Sequence, residues 1–268
     1  MPRRILSPQI TEALWQTAHA LADVARPVTL ASFRKPGLTA DNKDANGFDP
    51  VTVADRATEA AIRAKLAELR PQDAILGEES GAKPGTSGLT WVIDPIDGTR
   101  GYLSGTPTWG VLIGLVDDEG PILGIIDQPY IGERFYGGLG EAHVVGPQGR
   151  SDLTTRPARG LAEAIVFTTF PEVGTPAEQA AFHRVAAQAR LTRYGMDCYA
   201  YALLAAGQVD LVIEARLHSY DIVAPIAVIE AAGGIVTNWQ GGPAHHGGQV
   251  IAAANAQIHA EAMALLNP

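Results

Sequence analysis

Acidic side chains at the ends of apolar segments are the groups in this 268-residue chain best suited to chemistry. The segment Trp91–Thr99 is predicted to form a buried strand that leads into a turn bearing Asp94 and Asp97. Pro95 has no N–H to donate to a sheet ladder, so the strand is expected to end there. Gly98 then permits an unusual backbone conformation. Two carboxylates three positions apart on such a turn can converge on one point.

Converging carboxylates call for a cation, because like charges at short distance raise each other's pKa. An all-oxygen donor set favours Mg²⁺, Mn²⁺ or Ca²⁺ over zinc. Other acids that could join the pair are Glu78 and Glu79 after a second short strand, Asp221 at a helix start and Asp49 after a polar loop. Each alone has a simpler interpretation, namely a solvated turn, a surface pair or, for Asp221, a helix N-cap. The prediction of a metal site therefore depends on their conjunction.

The elements that must position these acids divide the chain into two predicted lobes, residues 1–150 and 151–268. In the first lobe, helices are expected over residues 7–25, ending at Pro27, and from the cap residue Thr52 to Leu69. Short β-rich segments between positions 74 and 145 predict a largely antiparallel sheet. After a polar stretch around residues 146–157, strands alternate with helices, which is typical of an α/β lobe. The predicted fold class is α+β or α/β.

Composition excludes several classes of function. Twenty Lys and Arg against 29 Asp and Glu leave a net charge of −9, which disfavours nucleic acid as a partner. No apolar run reaches the roughly 20 residues that a membrane span needs. The N-terminus lacks the apolar core of a secretion signal. Cys198 is the only cysteine and fits a reducing compartment. A cytoplasmic protein is expected.

Three ordered motifs carry a resemblance to a known family: Gly77–Ser80, Trp91–Thr99, and Tyr220-Asp221 followed after eleven residues by Gly233-Gly234. Together they resemble the inositol monophosphatase superfamily of Mg²⁺-dependent, typically lithium-sensitive phosphomonoesterases. The resemblance covers almost the whole chain and implies a layered αβαβα sandwich and a homodimer. One departure is Tyr220, because the family usually has Trp at this position.

The resemblance also implies roles for individual residues. The implied metal ligands are Glu78, Asp94, the backbone carbonyl of Ile96, Asp97 and Asp221. Glu79 and Asp49 match positions that contact water or a third, weaker metal, and Thr99 matches the hydroxyl that orients the attacking water together with Asp49. The implied cofactor is roughly two or three Mg²⁺ ions per active site, with Mn²⁺ as a substitute. The expected reaction is in-line attack of a metal-activated water on a phosphate monoester, without a phospho-enzyme.

The sequence around the motifs narrows the substrate. Gly98–Gly110 and Asp197–Tyr201 resemble the histidinol-phosphatase branch, whereas the inositol branch typically has a small residue at position 197. An additional carboxylate suits a cationic alcohol better than a polyol, and the imidazole of histidinol phosphate protonates near neutral pH. The expected substrate contacts are Gly98, Thr99, Asp197 and Glu214. For Asp197, a helix N-cap is an alternative interpretation.

Other functions stay open at this point. Within the same class, the substrate could be inositol monophosphate, a sugar bisphosphate or a nucleotide 3′-phosphate. From a different class, the chain could be a non-catalytic scaffold that retains the fold. The intact set of acids and Thr99 argues against a scaffold, and phosphate release with and without Mg²⁺ distinguishes it from an enzyme.

Overall fold

The computed structural model describes residues 6–42 and 50–267. The α-helices of this part of the chain are α1 (Pro8–Ser32), α2 (Val53–Leu69), α3 (Thr99–Ser104), α4 (Pro176–Ala186), α5 (Asp197–Ala205), α6 (Ser219–Ala231) and α7 (Ala256–Leu266). The strands are β1 (Ala40–Asn42), β2 (Pro50–Thr52), β3 (Ala74–Gly77), β4 (Gly81–Lys83), β5 (Thr90–Asp97), β6 (Gly110–Asp117), β7 (Gly120–Gln128), β8 (Glu133–Gly138), β9 (Glu141–Gly146), β10 (Gly149–Asp152), β11 (Ile165–Thr168), β12 (Leu191–Tyr194), β13 (Leu211–Leu217), β14 (Ile235–Thr237) and β15 (Gly248–Ala253).

Two large sheets organise these elements. The first has eight strands in the order β10-β9-β8-β7-β6-β5-β3-β4 and is antiparallel except where β3 runs parallel to β5. The second has five strands in the order β12-β11-β13-β15-β14, and β11 runs parallel to both of its neighbours. The prediction of a largely antiparallel first sheet followed by an α/β region is therefore confirmed.

Helices cover both sheets and separate them. Helices α1 and α2 pack together on one face of the first sheet, and α6 packs on its other face against β6, β7 and β8. Helix α5 lies beside α6 and contacts strands of both sheets, while α4 and α7 pair outside the second sheet. Because adjacent layers bury apolar faces against each other, this order forms a layered αβαβα sandwich. The fold class implied by the motifs is confirmed.

Helix α1 continues through Pro27, so the predicted end at this residue is wrong. A proline inside a helix removes one backbone hydrogen bond, but tertiary contacts on both sides of Pro27 hold this helix together. The Tyr102 hydroxyl donates to the carbonyl of Thr29 at 2.6 Å. The Arg26 guanidinium binds both carboxylate oxygens of Asp127 at 2.7 and 2.8 Å. These contacts offset the lost bond.

Strand β5 likewise continues beyond Pro95 to Asp97, contrary to the prediction. Its partner β3 pairs with it only as far as Ile93, so no ladder bond on that side requires a donor from Pro95. On the other side, the register with β6 shifts between Asp94 and Asp97. Proline is tolerated in such irregular positions. The break in regular pairing that Pro95 predicts is present as a bulge inside the strand.

The predicted boundary between lobes near residue 150 lies next to a change of sheet. Strand β10 completes the first sheet, and the chain then passes to β11 in the second. The division into residues 1–150 and 151–268 stays a prediction. Within the described ranges, every helix is too short or too polar to cross a membrane.

Candidate active site

The bulge in β5 brings the first two acids of the site together. Asp94 pairs with Leu112 of β6, whereas Asp97 pairs with Gly110, so three steps on β5 match two on β6. A bulge of this kind redirects side chains that would otherwise alternate between faces. The Asp94 carboxylate also accepts the amide N–H of Ile96 at 3.0 Å, which fixes the turn.

Asp221 joins this pair from the start of α6. Its carboxylate accepts the backbone N–H of His218 at 2.6 Å, so Asp221 stabilises the helix start as well as facing the other acids. Carboxylate oxygens of Asp94, Asp97 and Asp221 lie within 4.8 Å of one another. We call these three residues the acidic cluster. The prediction that Asp221 meets the other two acids in space is correct.

Burial and mutual repulsion raise the pKa of Asp94 well above its ordinary value, with Glu78, Asp97 and Asp221 as the neighbouring charges. Burial, followed by Asp221 and Asp197, similarly raises the pKa of Asp97. Uncompensated carboxylates in a buried site are costly, and a cation between them removes this cost. An all-oxygen set with few carboxylates fits a hard divalent cation. The residues present therefore fit the metal that the motifs imply.

Glu59 of α2 holds the turn that carries Glu78, a role that the sequence did not reveal. Its side chain is fully buried. Its carboxylate accepts the backbone N–H groups of Glu79 and Ser80 at 2.7 and 2.9 Å and the Arg63 guanidinium at 2.7 Å. A side chain at Gly77 would come within 2.5 Å of this carboxylate, which explains the glycine there. The turn after β3 is thereby fixed to α2.

The Thr99 hydroxyl lies at the start of α3, 3.2 Å from the carbonyl oxygen of Ile96 and 3.4 Å from a carboxylate oxygen of Asp55. Asp55 is buried and also binds Thr52 as part of the capping box at the start of α2. The spacing of Thr52 and Asp55 was a sequence signal for this capping contact. Asp49, predicted to act together with Thr99, lies outside the described residues.

Asp197 faces the site from the first position of α5, and its interpretation as a helix N-cap is wrong. The cap position is Met196, and no side chain caps the helix there. The carboxylate of Asp97 instead accepts the N–H of Cys198 at 2.6 Å. Asp197 has φ +45°, a strained conformation for a residue other than glycine. Its side chain accepts a hydrogen bond from the Thr108 hydroxyl at 3.1 Å.

Gly98 provides the space that Asp197 occupies. It has φ +83°, and a side chain there would approach Asp197 to 2.8 Å. Gly98 is therefore required both for its backbone conformation and for the close approach of Asp197. The Asp197 carboxylate, which belongs to α5, therefore packs against Gly98 in the turn that follows Asp97.

Glu214 reaches the same site from β13. Its buried carboxylate accepts the Thr169 backbone N–H at 2.7 Å and the hydroxyls of Thr169 and Thr168 at 2.9 and 3.1 Å. The pKa of Glu214 is raised to about 7, because burial and, to a smaller extent, the charge of Asp197 outweigh the three hydrogen bonds, which lower it. The hydrogen bonds thus hold the Glu214 side chain in place. None of the groups that shift its pKa is a cation.

A cavity of about 730 Å³ contains most of the predicted site. The predicted residues that line it are Glu78, Asp94, Ile96, Asp97, Gly98, Thr99, Asp197, Glu214 and Asp221. Glu79 is not among the lining residues. Arg100 lines the cavity mouth, where its guanidinium lies 4.7 Å from the centre of the exposed Phe170 ring. Metal ligands and proposed substrate contacts therefore share one cavity.

Comparison with known proteins agrees with this geometry. The model of the inositol monophosphatase family matches residues 11–267. A relative from Arabidopsis thaliana, "Bifunctional phosphatase IMPL2, chloroplastic", is 41% identical over 83% of this chain and 63% of its own length. The "Histidinol-phosphatase" of Mycobacterium tuberculosis is 33% identical over 93% of this chain and 96% of its own. A solved inositol monophosphatase from Zymomonas mobilis superposes with a TM-score of 0.85 at 37% identity, covering 98% and 100% of the two chains.

Together with the match to the family model, the layered sandwich and its acidic cluster place the chain in the class of α/β phosphomonoesterases. Within this class, the chain belongs to the inositol monophosphatase family.

Proposed function

We propose that the protein is a Mg²⁺-dependent histidinol-phosphate phosphatase, which converts L-histidinol phosphate and water to L-histidinol and phosphate in histidine biosynthesis. The observation that carries this proposal is the position of Asp197 and Glu214. Both carboxylates line the same cavity as the acidic cluster without belonging to it. A cavity with two further buried or partly buried acids favours an alcohol with positive charge.

Bound Mg²⁺ would supply an activated water and neutralise charge on the phosphoryl group and the leaving oxygen. Its proposed ligands are the acidic cluster, Glu78 and the carbonyl of Ile96. Backbone amide groups of the chain hold the metal-binding carboxylates in position. Asp94 is held by the Ile96 amide and Asp97 by the Cys198 amide, so neither carboxylate has to reorganise during the reaction. Thr99, with Asp49, is proposed to orient the attacking water, and Glu79 is proposed to contact a further water or metal.

The alcohol half of the substrate is proposed to lie between Gly98, Asp197 and Glu214. Histidinol phosphate carries an ammonium group and an imidazole that protonates near neutral pH. A cation beside Asp197 and Glu214 offsets the mutual repulsion that contributes to the raised pKa of Glu214. Names of relatives support the proposal, since histidinol-phosphatases from Mycobacterium tuberculosis and Streptomyces coelicolor are each 33% identical over 93% of this chain.

Replacing Asp197 with Asn tests this specificity. Asn keeps the shape and the acceptor for Thr108 but removes the charge. We expect kcat/KM for histidinol phosphate to fall about tenfold or more, because a hydrogen bond to a charged group is lost. The value for inositol 1-phosphate should change less than about twofold. Steady-state phosphate release with both esters gives the ratio of kcat/KM for histidinol phosphate to kcat/KM for inositol 1-phosphate.

The matched control is Glu172→Gln, which removes an exposed carboxylate from the cavity rim. We expect this variant to leave the ratio of the two kcat/KM values unchanged, because exposed charges are well screened. An equal loss of activity on both esters in the Asp197→Asn variant would contradict the specificity role of Asp197.

Inositol-1-monophosphatase is the second candidate function. It is favoured by the 37% identity to the Zymomonas mobilis inositol monophosphatase over 98% of this chain. A panel of histidinol phosphate, inositol 1-phosphate, fructose 1,6-bisphosphate and a nucleotide 3′-phosphate, assayed at one Mg²⁺ concentration, distinguishes the candidates. The highest kcat/KM is expected for histidinol phosphate, and a higher value for inositol 1-phosphate would reverse the assignment.

A cytoplasmic location and a homodimer belong to the same proposal. The buried free thiol of Cys198 supports a reducing compartment. The homodimer is supported by family membership alone. Light scattering of the purified protein tests it, with a mass of about twice 28.2 kDa expected.

A further inference from the structure

The hydroxyl of Tyr201 is a buried polar group without a partner. The side chain is only 4% exposed. Its oxygen has no hydrogen-bond partner within residues 6–42 and 50–267. Tyr201 nevertheless lines the active-site cavity. Leaving a buried hydroxyl unpaired costs free energy, and such groups in native proteins nearly always have a partner or await one.

Tyr201 shares both its helix and the cavity with a proposed substrate contact. It lies four residues after Asp197 in α5, and both residues line the cavity. Tyr199, two residues before it, projects from another face and donates its hydroxyl proton to Glu133, which is not among the cavity-lining residues. One tyrosine of the pair therefore has its partner in the protein, and the other faces the cavity.

Burial is the largest effect on the pKa of the Tyr201 hydroxyl, and negative charges come next. Those that act on it most strongly are the carboxylates of Glu214, Asp97 and Asp221, and together with burial they raise its pKa well above the ordinary value. The hydroxyl therefore stays neutral and keeps lone pairs that can accept a hydrogen bond. A group that is both positively charged and rich in N–H donors satisfies the hydroxyl and the carboxylates at once.

We propose that the Tyr201 hydroxyl is a specificity contact that accepts a hydrogen bond from an ammonium group on the carbon next to the ester carbon of the substrate. The helix that carries Tyr201 contacts the acidic cluster, because the Cys198 amide donates a hydrogen bond to Asp97 at 2.6 Å. Tyr201 is therefore proposed to lie near the ester end of the substrate. An ammonium one carbon from the ester is closer to that end than the imidazole is. This inference depends on the proposed histidinol-phosphate phosphatase activity.

The test uses two esters that differ only in the amino group: L-histidinol phosphate and 3-(imidazol-4-yl)propyl phosphate. For the Mg²⁺-loaded wild-type enzyme, we expect a higher kcat/KM with the aminated ester. In the Tyr201→Phe variant, this preference should shrink about tenfold, mainly through KM. The value for the ester without the amino group should stay within about twofold of wild type. The matched control is Tyr199→Phe, which removes a hydroxyl outside the cavity and should leave the preference unchanged.

Failure of this inference and failure of the proposed function give different results. If inositol 1-phosphate is the best wild-type substrate, the proposed function is wrong, but a preference for the aminated ester that depends on Tyr201 still supports the contact. An equal decrease on both esters in Tyr201→Phe, an unchanged preference, or a wild type that does not distinguish the two esters would each overturn it. Thermal unfolding of the Tyr201→Phe and Tyr199→Phe variants shows whether a loss of activity is due to a loss of folded protein.

Discussion

Replacing Asp94 with Asn is expected to reduce Mg²⁺-dependent phosphate release by roughly a thousandfold, because a shared metal ligand is lost. The same substitution should raise the melting temperature of the metal-free protein. Asp94 is buried beside Glu78, Asp97 and Asp221, and removing its charge relieves their repulsion. Asn retains an oxygen to accept the Ile96 amide. Phosphate release and thermal unfolding in the presence of EDTA measure the two effects.

The matched control is Asp73→Asn, which changes a buried aspartate that pairs with a cationic side chain. Asp73 accepts hydrogen bonds from the Arg70 guanidinium at 2.7 Å and from the Trp91 indole at 2.9 Å. Its replacement should lower the melting temperature, because a buried ion pair is broken. A metal-free Asp94→Asn protein that is less stable than wild type, or one that retains Mg²⁺-dependent activity, would contradict the role of Asp94 in the acidic cluster.

Replacing Glu59 with Gln is expected to destabilise the protein by about 3 kcal/mol and to impair catalysis. The carboxylate binds two backbone N–H groups and the Arg63 guanidinium, and Gln would direct an NH₂ group toward one of these donors. The turn that carries Glu78 then loses its anchor. Urea denaturation and the Mg²⁺ concentration at half-maximal activity measure the two consequences, and the latter should increase.

Glu68→Gln provides the control on the same helix. Its carboxylate pairs with Lys65 on the surface, and such pairs contribute little to stability. The variant should resemble wild type in both measurements. If Glu59→Gln also behaves like wild type, the assignment of Glu59 as the anchor of the metal-bearing turn is incorrect.

Local chemistry explains why part of the site could be predicted. Pro95 restricts the backbone between Asp94 and Asp97, and Gly98 permits the left-handed conformation that follows, so the short spacing of the two acids already implied a turn on which they converge. The convergence of Asp221 and Asp197 with that turn depends on how α5 and α6 pack between the sheets. Spacing alone does not encode it. The place of Asp221 at a helix start left both a cap and a metal ligand open, and the motif resemblance supplied the definite expectation for both residues. The structure places both residues in the same cavity as Asp94 and Asp97.

Tertiary contacts explain what was missed or wrong. Glu59 lies in a helix whose sequence pattern gives no sign of function, and its role arises only from what packs against it. Tyr201 belongs to the Asp197–Tyr201 motif, but only the structure shows that its buried hydroxyl lacks a partner among the described residues. Pro27 predicted a helix end, but contacts of Arg26 and Thr29 with distant residues keep the helix continuous. Asp197 would be an ordinary cap in isolation, yet the Asp97 carboxylate already occupies that role.

The most direct test of the acidic cluster is phosphate release from histidinol phosphate by protein stripped with EDTA, measured as Mg²⁺ is added back. Activity is expected to be near zero without the cation, to return with Mg²⁺ in wild type, and to stay low in Asp94→Asn. Hydrolysis that proceeds equally well in EDTA would show that the three carboxylates do not act as a cation site.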